Sequence, residues 1–231
     1  MNIVFHAQPS SAYPLVTWET GRYTAPWRDE AVLAALPAGS WDGPVVRLVR
    51  YEAETPEHHA TLVLQRAQYF DYIGTNLSPS DCERTDALGI SALLFTADGK
   101  FILQRRAPDL AICPGLLGPS MSGAVEPGDF KDATDLSQLD ARREIREELG
   151  VINAEIPDLR LMGLIRNPQR AGSPELMYRG TLSLTAKALS TRCCTEGSLL
   201  FVDGREVYSL PDRTASIDNL MSLLSREDMS H

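Results

Sequence analysis

Apolar residues in this chain gather into short runs, separated by clusters of proline, glycine and acidic residues. Val45-Val46-Arg47-Leu48-Val49-Arg50-Tyr51 and Thr61-Leu62-Val63-Leu64-Gln65 are dense in β-branched and apolar residues and predict two strands, with Glu54 to His59 as the loop between them. Asp29 to Leu36 predicts a short helix that ends near Pro37. A second series begins near Asp86. Leu88 to Thr96 reads as a strand, Ala97-Asp98-Gly99-Lys100 as a hairpin turn and Phe101 to Arg105 as the return strand. Ala107 to Pro119 is a loop rich in Pro and Gly, and a helix is expected from about Asp135 to Leu149. Strands follow at Leu159 to Arg166, Glu175 to Leu184 and Leu199 to Val202, with Asn167 to Pro174 as a loop. Ala215 to Arg226 is amphipathic with helical spacing. The order fits a β-rich N-terminal domain (1–85) and a second domain (86–231) with a mixed sheet and helices on its faces.

Composition changes this picture little. With 231 residues, 43% hydrophobic and 23% charged, the chain has the make-up of an ordinary soluble globular protein. A net charge of −9 argues against general binding to nucleic acid or an anionic membrane. It leaves room for a phosphorylated substrate, because a bound cation inverts the local charge. No apolar run approaches the roughly 18 residues of a membrane span, and Met1 to Ser10 has neither the basic start nor the apolar core of a secretory signal. Cys82, Cys113, Cys193 and Cys194 match no zinc spacing and read as free thiols of a reducing cytoplasm. His6, His58, His59 and His231 are too scattered to centre a catalytic triad. Oligomeric state is not legible.

The chemistry concentrates in Arg143-Glu144-Ile145-Arg146-Glu147-Glu148-Leu149-Gly150-Val151. In a helix, Glu144, Glu147 and Glu148 fall at i, i+3 and i+4 and share one face. Three carboxylates so close repel one another unless a cation sits between them. All-oxygen donors suit hard divalent ions, Mg²⁺ above all. The bland alternative is a solvated acidic face paired with neighbouring arginines. The glycine-rich, acid-ended stretch Gly123-Ala124-Val125-Glu126-Pro127-Gly128-Asp129 upstream favours the metal reading.

This loop followed by this helix resembles the Nudix box: Gly, five residues, Glu, seven residues, Arg-Glu, an aliphatic residue, any residue, Glu-Glu, any residue, Gly, an aliphatic residue. From Arg143 to Val151 every specified position matches. The first half departs from the pattern. Counted forward from Gly123, the box glutamate falls on Asp129; counted back from Arg143, it falls on Asp135. The extra residues are assigned to Phe130 to Asp135, where Asp132, Thr134 and Asp135 are all suitable helix caps. An insertion there costs little stability but leaves open which carboxylate partners Arg143.

The resemblance implies an α/β/α sandwich and a Mg²⁺-dependent diphosphatase, with Mn²⁺ as a possible substitute. It makes Glu147 and Glu148 the strongest metal ligands, Glu144 a ligand or orienter, the backbone near Ser122 or Gly123 a further donor, and Arg143 an anchor. Relatives supply another carboxylate from a loop before the last strand, and Glu196 holds that position as extra ligand or general base, with Glu175 second. Tyr69-Phe70-Asp71-Tyr72-Ile73-Gly74-Thr75-Asn76 and Gly163-Leu164-Ile165-Arg166-Asn167 are similar to segments of a UDP-glucose pyrophosphatase subgroup. That subgroup acts on UDP-glucose or UDP-galactose to give UMP and the sugar 1-phosphate. Arg105 or Arg106, Asn167, Thr75 and Asn76 are candidates for substrate contact, each set against a structural role, and Tyr72, Tyr178 and Phe70 for stacking. Another nucleoside diphosphate derivative, such as ADP-ribose or coenzyme A, is the alternative substrate. A nucleotide-binding module without catalysis is the alternative function.

Overall fold

The computed structural model describes residues 2–7, 13–55, 59–110, 112–130, 141–192, 194–204 and 206–224. Asp135, proposed above as a box carboxylate, lies outside them, as do Asp132, Thr134, His58, Cys193 and His231. The described strands are β1 (Asn2–His6), β2 (Leu15–Arg22), β3 (Pro44–Glu52), β4 (Thr61–Gln68), β5 (Gly89–Phe95), β6 (Phe101–Arg106), β7 (Leu117–Gly118), β8 (Met121–Ala124), β9 (Asp158–Asn167), β10 (Ser173–Thr181) and β11 (Gly197–Val202). The helices are α1 (Glu30–Ala34), α2 (Tyr69–Asn76), α3 (Arg142–Leu149), α4 (Ala186–Leu189) and α5 (Ala215–Leu223).

Eight strands form one mixed sheet in the order β1-β9-β10-β5-β6-β11, with β8 paired to β5 and β7 to β6. Among the described strands of this sheet, only β5 and β10 pair in parallel. Strand β5 is buried along its whole length, which explains its unbroken apolar run. Its side chains alternate between two cores. Ile90, Ala92 and Leu94 face Ile145 and Leu149 of α3, while Leu93 and Phe95 face Ile217, Leu220 and Met221 of α5. The large sheet therefore lies between two helical faces, an α/β arrangement.

Strands β2-β4-β3 form a second, smaller sheet. Its apolar residues Val46, Leu48, Leu62 and Leu64 belong to the same core as α3. Backbone bonds tie it to the large sheet: Leu48 N–H donates to the Asp86 carbonyl (3.0 Å), Leu88 N–H to Val46 (2.7 Å) and Val46 N–H to Val125 (2.9 Å). Residues 1–85 thus contribute β1 to the large sheet and β2 to β4 to the small one.

Most expected elements occur within a few residues of their expected bounds. The hairpin at 97–100 closes with Thr96 N–H on the Lys100 carbonyl (2.9 Å) and Gly99 at φ +77°. Six of the described strands and helices were not expected: β1, β2, β7, β8, α2 and α4, with β7 and β8 standing where loops were expected. The strand expected to reach Leu184 ends at Thr181. Among the described residues, no helix is long and apolar enough to cross a membrane.

Candidate active site

Helix α3 sets the site. Ile145 and Leu149, four residues apart, are fully buried in the core. Gly150 ends the helix in the left-handed conformation (φ +63°), donating to the Arg146 carbonyl at 3.0 Å. Docking Ile145 and Leu149 turns Glu148 inward, to 3% exposure. Its carboxylate accepts from the Ser122 backbone N–H and from Gln104 Nε2, both at 3.3 Å. Glu144, on the next face, packs against β8. A Cβ placed on Gly123 would sit 2.8 Å from the Glu144 carboxyl carbon, so glycine is what lets that carboxylate reach the strand.

Arg143 is the hub beside it. Its guanidinium grips Asp129 with Nε to Oδ1 at 2.7 Å and Nη2 to Oδ2 at 3.0 Å. It also donates to Glu144 (2.9 Å) and Glu147 (3.0 Å). Asp129, reached by the forward count of the motif, is thus a carboxylate that Arg143 holds, while Asp135, reached by the backward count, lies outside the described residues. The extra residues fall between the 3-10 turn Pro127–Phe130 and α3. Glu147 itself is 60% exposed and stands on the flank of the helix, outside the cavity.

Glu196 arrives on the loop before β11. Thr195 N–H on the Glu148 carbonyl (3.1 Å) and Ala107 N–H on the Glu196 carbonyl (2.9 Å) fix that loop to the end of α3 and the end of β6. Arg106 Nη1 stands 3.7 Å from Glu196 Oε2. Arg106 donates to the Ser122 hydroxyl (2.8 Å) and the Ile112 carbonyl (3.0 Å), so its guanidinium is aimed across the site.

Glu144, Glu196, Arg106, Ser122 and Gly123 line one cavity of about 260 Å³. Glu126 and Arg170 line it too, and Trp41, Tyr69 and Tyr72 give it an aromatic wall. Burial, then repulsion from Glu196 and Glu144, pushes the Glu148 carboxyl up to about 9, against the pull of Arg106 and the Ser122 amide. Burial, then Glu147 and Asp129, raises Glu144 to about 7 although Arg143 opposes the shift. Burial raises Glu196 as well, opposed by Arg106 and Arg170.

The carboxylates fit a divalent cation on this evidence: burial raises the pKa of Glu144, Glu148 and Glu196, and a cation beside them would oppose that shift. Among the described residues, no three His, Cys, Asp or Glu side chains are grouped so that they could hold a metal ion as they stand.

Other candidates from the sequence have structural places. Arg105 points away from the cavity and donates to the Gly115 carbonyl (3.1 Å); Arg106, one residue on, faces the cavity, since side chains alternate along a strand. Thr75 and Asn76 are buried at the end of α2. The Thr75 hydroxyl donates to the Asp71 carbonyl (2.7 Å) and accepts from Thr85 N–H (3.0 Å). Asn76 donates to the Ser173 hydroxyl (3.0 Å) and accepts from Asp86 N–H (3.1 Å). Asn167 caps the turn after β9, accepting from Gln169 N–H (3.0 Å), and donates to Glu175 (2.6 Å) and Ser216 (3.0 Å). None of these three lines the cavity; they satisfy buried polar groups instead. Glu175 is buried among Ser91, Asn167 and Ser216, consistent with a structural carboxylate. Tyr178 lies in the core, while Tyr72 does line the cavity. Arg170 and Trp41 were missed. Arg170 lies in a 3-10 turn (Pro168–Arg170), Trp41 in the loop before β3, and neither belongs to a motif.

No protein-family model matches the chain. The chain is 25% identical to the Mus musculus uridine diphosphate glucose pyrophosphatase, over 84% of this chain and 71% of that one. Among solved structures, the protein DR0079 from Deinococcus radiodurans matches 80% of this chain and 100% of its own, at 18% identity and a TM-score of 0.50. A MutT protein from Methanosarcina mazei matches 62% of this chain and 94% of its own, at 17% identity and a TM-score of 0.45. The Deinococcus likeness speaks to the fold.

Proposed function

We propose that this chain, which belongs to the Nudix hydrolase superfamily, hydrolyses the diphosphate bond of a nucleoside diphosphate sugar, with UDP-glucose or UDP-galactose giving UMP and the sugar 1-phosphate. The observation that carries this reading is the cavity where carboxylates meet two arginines beside an aromatic wall. A diphosphate brings negative charge that the arginines match, and its nucleoside brings a planar ring. The name of the mouse relative supports the uridine diphosphate sugar as the member of that class to try first.

In this reading, water adds to one phosphorus while the bridging oxygen leaves with the other phosphoryl group. A Mg²⁺ ion held by Glu144 and Glu148, with the Gly123 backbone as a further donor, would neutralise phosphate oxygens and make bound water more acidic. Arg106, held rigid by Ser122 and Ile112, orients a phosphate oxygen. Arg170 supplies a second positive charge on the same wall. Glu196 takes the proton of the attacking water, and its raised pKa makes it a better base than an ordinary carboxylate at neutral pH. Arg143 keeps Asp129 and Glu144 in place rather than touching substrate. Cys82, Cys113 and Cys194 are free thiols, which fits a cytoplasmic enzyme.

The test is product analysis by ion-exchange chromatography, with Mg²⁺ and a panel of UDP-glucose, UDP-galactose, ADP-ribose, NADH and coenzyme A. Release of UMP from the UDP-sugars alone is the expected result. Cleavage of a different member keeps diphosphate hydrolysis and replaces the substrate. Tight nucleotide binding with no product from any member overturns the catalytic reading.

A further inference from the structure

We infer that Trp41 and Tyr69 form the seat for the substrate's nucleobase, so that the segment ahead of β3, not the metal helix, recognises the nucleoside. This rests on the diphosphate reading above.

Trp41 is 49% exposed, a costly place for an indole unless something covers it. It is nevertheless held in a defined position. Its ring lies over Gly43, where a Cβ would come within 1.8 Å of the indole. The following residues are pinned to the start of α2 by three bonds. Gln68 Nε2 donates to the Asp42 carbonyl (2.9 Å), Phe70 N–H to the Asp42 carboxylate (2.7 Å) and Tyr69 N–H to the Gly43 carbonyl (3.0 Å). The Trp41 and Tyr69 rings stand 5.4 Å apart at 51°, and Tyr69 continues to Tyr72 at 5.9 Å. All three rings line the cavity that holds Glu144, Glu196, Arg106 and Arg170.

The wall also adjoins the charged groups. The Tyr69 hydroxyl feels Arg170, Arg106 and Glu196 at once. A ligand whose phosphates meet the arginines thus presents its attached nucleoside to the aromatic wall. A planar base stacks on such a surface and covers the exposed indole.

Tryptophan fluorescence tests this without turnover. Of the three tryptophans, Trp18 packs on Phe130 and neither Trp18 nor Trp27 lines the cavity. Quenching by UMP and AMP is read in wild type, and their affinities, with that of inorganic pyrophosphate as a ligand that has no base, are measured by titration calorimetry in wild type, Trp41→Ala and Trp41→Phe, since the variants lack the reporter. The expected result is quenching of wild type by at least one nucleotide. Its affinity falls about 5- to 150-fold in Trp41→Ala, the range that loss of one stacked base gives, and recovers most of that loss in Trp41→Phe. Pyrophosphate affinity stays unchanged throughout. With a cleaved substrate, Trp41→Ala raises KM by a similar factor and leaves kcat near wild type. Equal nucleotide affinity in wild type and Trp41→Ala overturns the seat, as does an absence of nucleotide quenching. If no substrate is cleaved, the proposed reaction falls, and the nucleotide titration still decides the seat.

Discussion

Replacing Glu148 with Gln is expected to stabilise the metal-free protein while removing its function. The wild-type carboxyl is 3% exposed, with a pKa pushed up to about 9 from the ordinary 4.5. Between those values the folded state binds a proton that the unfolded state has released. Stability therefore falls as pH rises, by about 1.4 kcal/mol per pH unit from this site. Glu144, raised to about 7, adds its own slope below neutrality. The clean window is thus pH 7 to 8.5, where Glu148 alone costs about 2 kcal/mol, or roughly 4–8 °C of Tm for a chain of this length. The substitution itself is well accommodated, because Gln104 Oε1 is buried without a partner and an amide flip presents it to the new amide. The assay is thermal unfolding of wild type and Glu148→Gln in EDTA across this window, repeated with excess Mg²⁺. The wild-type Tm should fall with pH, the variant's should not, and Mg²⁺ should raise the wild-type Tm most at high pH, where the ligand is already ionised. Parallel Tm curves for the two proteins in EDTA would refute the claim that an unrelieved carboxylate is stored in the site.

Four further outcomes follow from the geometry. Arg106→Gln should raise KM for the diphosphate substrate at least about 10-fold, given the strength of a charge-assisted bond, while Arg105→Gln leaves steady-state kinetics at wild-type values. Gly123→Ala should displace the Glu144 carboxylate, seen as a higher Mg²⁺ concentration for half-maximal activity with little change in Tm. Asp129→Asn removes the charge that Arg143 grips, and should lower stability by about 1.5–3 kcal/mol in urea unfolding. Thr75→Val should cost about 1–3 kcal/mol of stability by orphaning the buried Thr85 amide, with KM unchanged.

The parts of the fold that the sequence made legible are those where one local signal decides. The burial-driven run at Leu88 to Thr96, the Asp98-Gly99 turn and the Arg143 to Val151 helix all carry such a signal. Helix α2 was not legible because Tyr69 to Asn76 is rich in aromatic and β-branched residues. It is helical through tertiary burial of Asp71 to Asn76, not propensity. Strand β1 is an edge strand whose pairing with β9 spans most of the chain. The site divides the same way. Glu144, Glu148, Gly123 and Asp129 could be proposed because a motif fixes their spacing, and Glu196 because of its place before the last strand. Arg106 could not be told from Arg105 until strand register was known, and a one-residue step reverses the face. Thr75, Asn76 and Asn167 could be read from the sequence either as ligand contacts or as structural residues, because polar residues near glycines and prolines do either job. Here backbone amides and buried side chains engage them. Trp41 and Arg170 come from loops far apart in sequence and meet only in the folded chain.

The central claim, hydrolysis of a nucleoside diphosphate sugar by a cation held on α3, is tested most directly by following UDP-glucose with purified protein. Wild type should yield equal amounts of UMP and glucose 1-phosphate with Mg²⁺, and neither product in EDTA or from Glu148→Gln. Equal product release by Glu148→Gln, or release that persists in EDTA, would contradict the account.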